Sequence, residues 1–220
     1  MGLRSRIRRS LLARGYRVPG FLVREHDRLF HEVVHSLRPG MVVLDIGANR
    51  GDIAAAFAAR GATVHAFEPN PDVFAELRKA ARAHPTIHAQ NCGILDADAE
   101  MKLYLHESYA DDPLGHSESS SFVAAKPNVS ADDFRSVPVR DIAGVIAEIG
   151  VPIDVVKIDV EGAEYRILKR MIETGTIERV GRVYVETHHD RIPELRAEHE
   201  AVAAAIAERG LGGKIRLDWV

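Results

Sequence analysis

The chain has 220 residues, 29 Lys plus Arg against 32 Asp plus Glu, and 46% hydrophobic residues, which excludes an intrinsically disordered or collagen-like chain and suits one sizeable α/β core. Its longest uncharged run, residues 83–95, contains two His, Thr, Gln and Asn and falls short of the roughly 18 apolar residues of a membrane-spanning helix. Cys92 is the only cysteine, so an internal disulfide and a CxxC metal or redox motif are excluded and a reducing cytoplasm is the expected setting.

Arg4, Arg6, Arg8, Arg9, Arg14 and Arg17 fall within the first 20 residues, where there is no acid, leaving 23 basic against 32 acidic residues elsewhere. Arginine recurs too often there for the apolar core of an export signal. A solvated basic arm is the expectation, with peripheral contact to an anionic membrane as the partner to consider. From Phe21 to Leu37 apolar residues return at helical spacing until Pro39-Gly40 stops them. Residues 1–38 therefore read as basic arm and helix, and 39–220 as the main domain.

Within that domain residues 41–47 read as a buried strand, 53–61 as a helix ending at Gly61, and 62–68 as a second strand. Asn70-Pro71 supplies an N-cap followed by proline at the first helical position. A third strand fits Ile87 to Leu95, and residues 101–108 alternate as a strand should. Residues 109–121 lack periodicity and form one long loop, either closing over substrate or a surface insertion. Then come a strand at 137–139, a helix over 141–149, a strand at 154–160, a helix at 163–173 and a strand at 182–188. A last helix carries Ile192, Leu195, His199, Val202 and Ile206, with Asp190 as N-cap and Gly210 as terminator. Such alternation builds a doubly wound, mostly parallel sheet with an N-terminal helical extension.

Ligands of open α/β sheets bind beyond the carboxyl ends of the strands. The first such end is Asp45-Ile46-Gly47-Ala48-Asn49-Arg50-Gly51, whose glycines permit a tight turn before a helix N-terminus. A dinucleotide fingerprint needs a third glycine where Ala48-Asn49 stand. Asp45 repels a pyrophosphate but attracts a cofactor carrying an ammonium group, such as S-adenosylmethionine. Glu68 ends the second strand, where it can accept hydrogen bonds from both ribose hydroxyls. Further on, Lys157, Asp159 and Glu161 share one face of a strand, and Tyr184, Glu186 and His188 share one face of the next. A Lys157–Glu186 ion pair and a pocket lined by Asp159, Glu161 and His188 follow from that period.

The stretches VVLDIGANRGDIA (42–54), HAFEPNP (65–71), NCGILD (91–96), SSSF (119–122), IDVVKIDVEGAEYRIL (153–168) and VYVETH (183–188) together resemble the FkbM-type family of S-adenosylmethionine-dependent methyltransferases. The resemblance implies a Rossmann-like fold and O-methylation of hydroxyls on sugars, glycolipids or polyketide-type metabolites. Carried over by position, Asp45, Gly47, Asn49 and Gly51 would line the cofactor's methionine part, Glu68 would hold its ribose, and Asn91 and Cys92 would lie near its adenine. Asp159 and Glu161 would face the reacting centre. Two features depart from the family pattern: the acid after the 137–139 strand falls at Asp141 or is replaced at Ala143, and KIRLDWV offers one terminal strand where an antiparallel pair is usual.

Methyl transfer to oxygen needs alignment and a base. His188 suits that task near neutral pH without adjustment, Asp159 if burial raises its pKa, and Glu161 orients the hydroxyl or the base. A magnesium site from Asp159, Glu161 and Glu186 is set aside for want of a further Asp cluster, so no metal is expected. Competing readings are a non-catalytic S-adenosylmethionine-binding scaffold and an RNA methyltransferase docked by the Arg-rich N-terminus, the latter opposed by the acidic remainder.

Overall fold

The computed structural model describes residues 28–110, 120–124, 126, 127 and 129–219, and of Ala131 only the backbone. The basic arm and the middle of the 109–121 loop lie outside the described residues. Helices α1 (Arg28–Ser36), α2 (Asp52–Ala58), α3 (Pro71–Ala83), α4 (Ile142–Ile149), α5 (Glu164–Glu173) and α6 (Arg196–Glu208) alternate with strands β1 (Val42–Ile46), β2 (Thr63–Phe67), β3 (Ile87–Gln90), β7 (Ile153–Ile158), β8 (Val180–Val185) and β9 (Ile215–Arg216). Those strands form one sheet in the order β3-β2-β1-β7-β8-β9, all parallel. Chain order reverses between β1 and β7, which opens a crevice at their carboxyl ends.

Strands of a sheet covered on both faces are apolar throughout, and side-chain alternation divides their residues between the two cores. Val43, Val64 and Val155 meet α1 and α2 through Val33, Val34 and Phe57. Leu44, Val156 and Val183 meet α4, α5 and α6 through Ile146, Leu168 and Val202. Helix α1 is thus built into the main core: Phe30 stands edge-on to the buried Trp219, ring centroids 5.8 Å apart.

The structure departs from the sequence reading in several places. The segment read as a single third strand breaks at Asn91-Cys92, and Gly93–Leu95 (β4) leaves for a second sheet. There it runs parallel to β6 (Val129–Asp141), whose other edge pairs antiparallel with β5 (Ala99–His106). Three residues expected as a short strand at 137–139 are therefore the end of a 13-residue one. Gly93 allows the break, since a Cβ there would lie 2.7 Å from Phe122 Cζ.

The last helix begins later than expected. Pro193 sets up a 3₁₀ turn over Pro193–Leu195, so Leu195 rather than Asp190 precedes α6, while Gly210 does end the segment at φ 67°. The far edge is closed by the two-residue β9 running parallel to β8, with the Trp219 amide donating to the Val185 carbonyl at 3.1 Å. Finally, Asp141 is spent on architecture: it caps α4 by accepting from the Ala143 amide and takes two hydrogen bonds from Arg170.

Candidate active site

The crevice is built around one buried cation. Register places Asp45 of β1 opposite Lys157 of β7, and both side chains are shut off from solvent. Lys157 Nζ donates to the Gly47 carbonyl at 2.8 Å and lies 3.3 Å from Asp45 Oδ1 and 3.4 Å from Asp159 Oδ2. Burial pushes the ammonium pKa down, but Asp159 and Asp45 more than offset it and hold it above its ordinary value. Asp45, the more deeply buried partner, is shifted upward by desolvation against the pull of Lys157. The expected partner Glu186 is not part of this group, because register sets Tyr184 beside Lys157 and Glu186 two residues further on.

Gly47 is where the β1 tip passes β7. At φ 76° a Cβ on it would stand 1.8 Å from the Asp159 carbonyl oxygen, so only glycine fits. Gly51, at φ 86°, precedes α2 where a Cβ would meet Leu77 Cδ1 at 2.7 Å. It serves the contact of α2 with α3.

At the tip of β2, Glu68 accepts from two backbone amides, Asn70 on Oε1 and Asn49 on Oε2, each at 2.9 Å. Burial raises its pKa to about 7 against those two hydrogen bonds. Asn91 Nδ2 holds the same turn by donating to the carbonyls of Glu68 (2.8 Å) and Pro69 (3.1 Å). Asn70 caps α3, and its amide also meets Tyr109 Oη at 2.9 Å. Cys92 faces the core, where burial lifts its thiol to about 11.

The tips of β7 and β8 are less settled. Asp159, Glu161 and His188 bring one ligand-type atom each within 4.8 Å of one another. His188 Nε2 is 3.2 Å from Glu161 Oε2 and 3.8 Å from Glu186 Oε1, and Nδ1 is 3.3 Å from Glu164 Oε1. Burial opposes the imidazolium, but Glu164 and Glu161 outweigh it, so the ring keeps its proton to a higher pH than a free histidine. That corrects the expectation of a base needing no adjustment. Desolvation raises Glu161, and raises Glu186 to about 7 with Asp159 adding repulsion.

Glu161 sits in the left-handed region at φ 57°, a conformation that costs a residue with a Cβ roughly 1–2 kcal/mol. Ser121 Oγ donates to its carbonyl at 2.6 Å and Lys126 Nζ lies 2.7 Å from its Oε2. Glu164 ties the two tips together by accepting from the Gly162 and His188 amides at 2.8 and 2.9 Å. Sequence reasoning missed Ser121, Lys126 and Glu164. Glu164 had a signal, an acid on the buried face of an amphipathic helix, and Ser121 falls in the SSSF stretch of the family resemblance; Lys126 lies in an aperiodic segment and had none.

A cavity open to solvent lies over the β1, β2 and β7 tips. Gly47, Asn49, Glu68, Asp159 and Glu161 line it beside Phe67, Ile94, Leu103 and Phe122. Among the expected site residues, Asp45, Gly51, Asn91, Cys92 and His188 are not in the lining. Asp45, expected beside a bound cofactor, is instead turned inward onto Lys157.

The model of the family described as Methyltransferase FkbM domain matches residues 45–211. The chain is 33% identical over 193 residues to 31-O-demethyl-FK506 methyltransferase FkbM of Streptomyces tacrolimicus, covering 76% of this chain and 74% of that one. It is 32% identical over 152 residues to hexuronic acid methyltransferase AglP of Haloferax volcanii, covering 67% and 56%. Solved structures it is similar to include a TehB-like SAM-dependent methyltransferase from Corynebacterium glutamicum (21% identity, 39% and 41% coverage, TM-score 0.25). Another is YjhP from E. coli (12% identity, 91% and 92% coverage, TM-score 0.26).

Proposed function

The chain belongs to the FkbM methyltransferase family, whose methyl donor is S-adenosylmethionine, and from that premise we propose that it methylates a hydroxyl oxygen of a sugar, glycolipid or polyketide-type metabolite. The names of the two relatives support this class, one giving an O-demethylated compound and the other a hexuronic acid as what they methylate. No helix among the described residues is long and apolar enough to cross a membrane. An anionic membrane surface as a docking partner rests on the six arginines of residues 1–20.

The residues present fit the donor. Glu68, 8% exposed, turns a carboxylate to the cavity where ribose hydroxyls can donate to it, and Phe67, Ile94 and Phe122 offer apolar surface for a purine. Asn49 and Gly47 stand on the methionine side, and Asp45 acts from behind through Lys157 and the Gly47 carbonyl. When bound, S-adenosylmethionine supplies a methyl group on a positively charged sulfur that is a good leaving group.

What the chain itself must do is hold the acceptor hydroxyl in line and take its proton. The observation that carries the proposal is the pair Asp159 and Glu161, lining the same cavity as Glu68 from the β7 tip. Either carboxylate can accept the hydroxyl proton. His188, behind Glu161 and leaning on Glu164, offsets the negative charge of that pair and fixes its geometry, which makes it a positioning residue. Calorimetry with S-adenosylmethionine, followed by mass spectrometry of candidate acceptors for a 14-unit gain, tests this reading. Donor binding with methylation of a hydroxyl is expected; a chain that binds no donor, or one that methylates only nitrogen or RNA, overturns it.

A further inference from the structure

One atom of the β7 and β8 tips is left over by the network around it. His188 Nε2 is buried, makes no hydrogen bond, and points at Glu161 Oε2 and Glu186 Oε1 from 3.2 and 3.8 Å. The other ring nitrogen is held at 3.3 Å by Glu164, whose carboxylate is itself fixed by two backbone amides. A carboxylate behind one imidazole nitrogen, with the second aimed at acidic oxygens, is the way proteins orient a metal-ligating histidine.

Charge points the same way. Asp45, Asp159, Glu161, Glu164 and Glu186 bring five carboxylates together against three permanent cations, Lys157, Lys126 and the largely exposed Arg191. With the His188 ring protonated one negative charge remains, and a divalent ion that displaces the ring proton balances the cluster. The 4.8 Å limit on the spacing of the Asp159, Glu161 and His188 atoms is near the span that one cation bridges with bonds of about 2.0–2.2 Å.

We propose that Asp159, Glu161 and His188 bind one divalent cation of the magnesium and manganese class, and that its open positions receive an acceptor hydroxyl together with a second oxygen on the neighbouring carbon. Two carboxylates with one imidazole favour a hard cation over a thiophilic one. Three protein ligands leave coordination positions free for substrate. The preferred acceptor is therefore a vicinal diol or a 2-hydroxy acid rather than an isolated alcohol. This rests on the reading that these tips carry the acceptor hydroxyl. Lys126, 2.7 Å from Glu161 Oε2, is the built-in competitor for the same oxygen.

The test is a titration of the purified protein with Mn²⁺ followed by electron paramagnetic resonance. The expected result is one tightly held Mn²⁺ per chain, with a nitrogen coupling from imidazole in the pulsed spectrum. His188→Gln abolishes that coupling and weakens Mn²⁺ by about tenfold or more, and Asp159→Asn weakens it comparably. Lys126→Ala tightens it. No stoichiometric Mn²⁺, bound Mn²⁺ without nitrogen coupling, or a coupling that survives in His188→Gln overturns the proposal. Should His188→Gln fail to fold, the wild-type coupling and the Asp159→Asn titration decide alone. S-adenosylmethionine affinity measured on the same metal-free samples separates the two ideas: donor binding without a Mn²⁺ site sinks only this inference, whereas loss of donor binding sinks the methyltransfer reading.

Discussion

Asp45 faces Lys157 across the fork of the sheet and Asp159 flanks it from the tip of Lys157's own strand, yet the two belong to different regions. At the β2 tip both Glu68 oxygens accept backbone amides at 2.9 Å, and at the β1 tip Asp45 lies 3.3 Å from the Lys157 ammonium. Around Asp159, Glu161, Glu186 and His188, at the β7 and β8 tips, carboxylates crowd one ring, and burial, with repulsion from Asp159 added, raises the pKa of Glu161 and Glu186. Matched charge gives a frame, and mismatched charge gives a place that gains by binding something.

Breaking the shared cation should have the largest effect. Lys157→Met leaves two carboxylates without their ammonium, one of them fully buried, and should lower unfolding free energy by about 3–5 kcal/mol in a urea titration. A loss below about 1 kcal/mol would show that Asp45 was never dependent on it. On the other side of the comparison, Asp159→Asn should reduce turnover by about 100-fold or more while S-adenosylmethionine affinity changes little. Equal losses in donor affinity and turnover would erase the distinction between the regions.

A pH experiment sharpens the same contrast. Glu68 in the folded chain titrates near 7 because burial disfavours its charge, against an ordinary 4.5. Folding therefore favours its protonated form, and the stability it contributes is complete below pH 4.5 and lost as pH rises through 7, on the order of 1–3 kcal/mol. Donor binding should run the opposite way, tightening as pH rises through 7, since ribose hydroxyls donate better to the carboxylate. Carboxyl ¹³C resonances with and without donor report both, and a Glu68 resonance that titrates near 4.5 in the free protein would remove the effect. The smallest change belongs to the frame: Asn70→Ala removes the α3 cap and should cost about 1 kcal/mol, read as a modest fall in thermal midpoint with turnover kept.

Much of this frame is legible in sequence because strand ends announce themselves. Asp45-Ile46-Gly47 and Phe67-Glu68 close apolar runs, and a charged residue ending such a run falls at the sheet's carboxyl edge. Direction within the edge is harder. Period two expects Lys157, Asp159 and Glu161 on one side of a strand, but β7 ends at Ile158 and a left-handed turn carries Glu161; the period also says nothing of register, which gives Lys157 to Asp45 instead of Glu186. The second sheet was hidden for a related reason: Ile87–Leu95 reads as one continuous strand, and only the Asn91 bonds to the carbonyls of Glu68 and Pro69, together with room for Phe122 over Gly93, break it. Such pairings join segments tens of residues apart, which no local pattern records.

Gly93 and Phe122 face each other across the cavity wall, so the aperture above the carboxylates is set by the absence of a single methyl group. An added Cβ would press on Phe122 and also on the buried Val139, 2.9 Å away at Cγ1, so both side chains would have to give way. The bulk of molecule admitted is thus set where Phe122 fills the space a side chain at Gly93 would take, apart from the ionic machinery beneath.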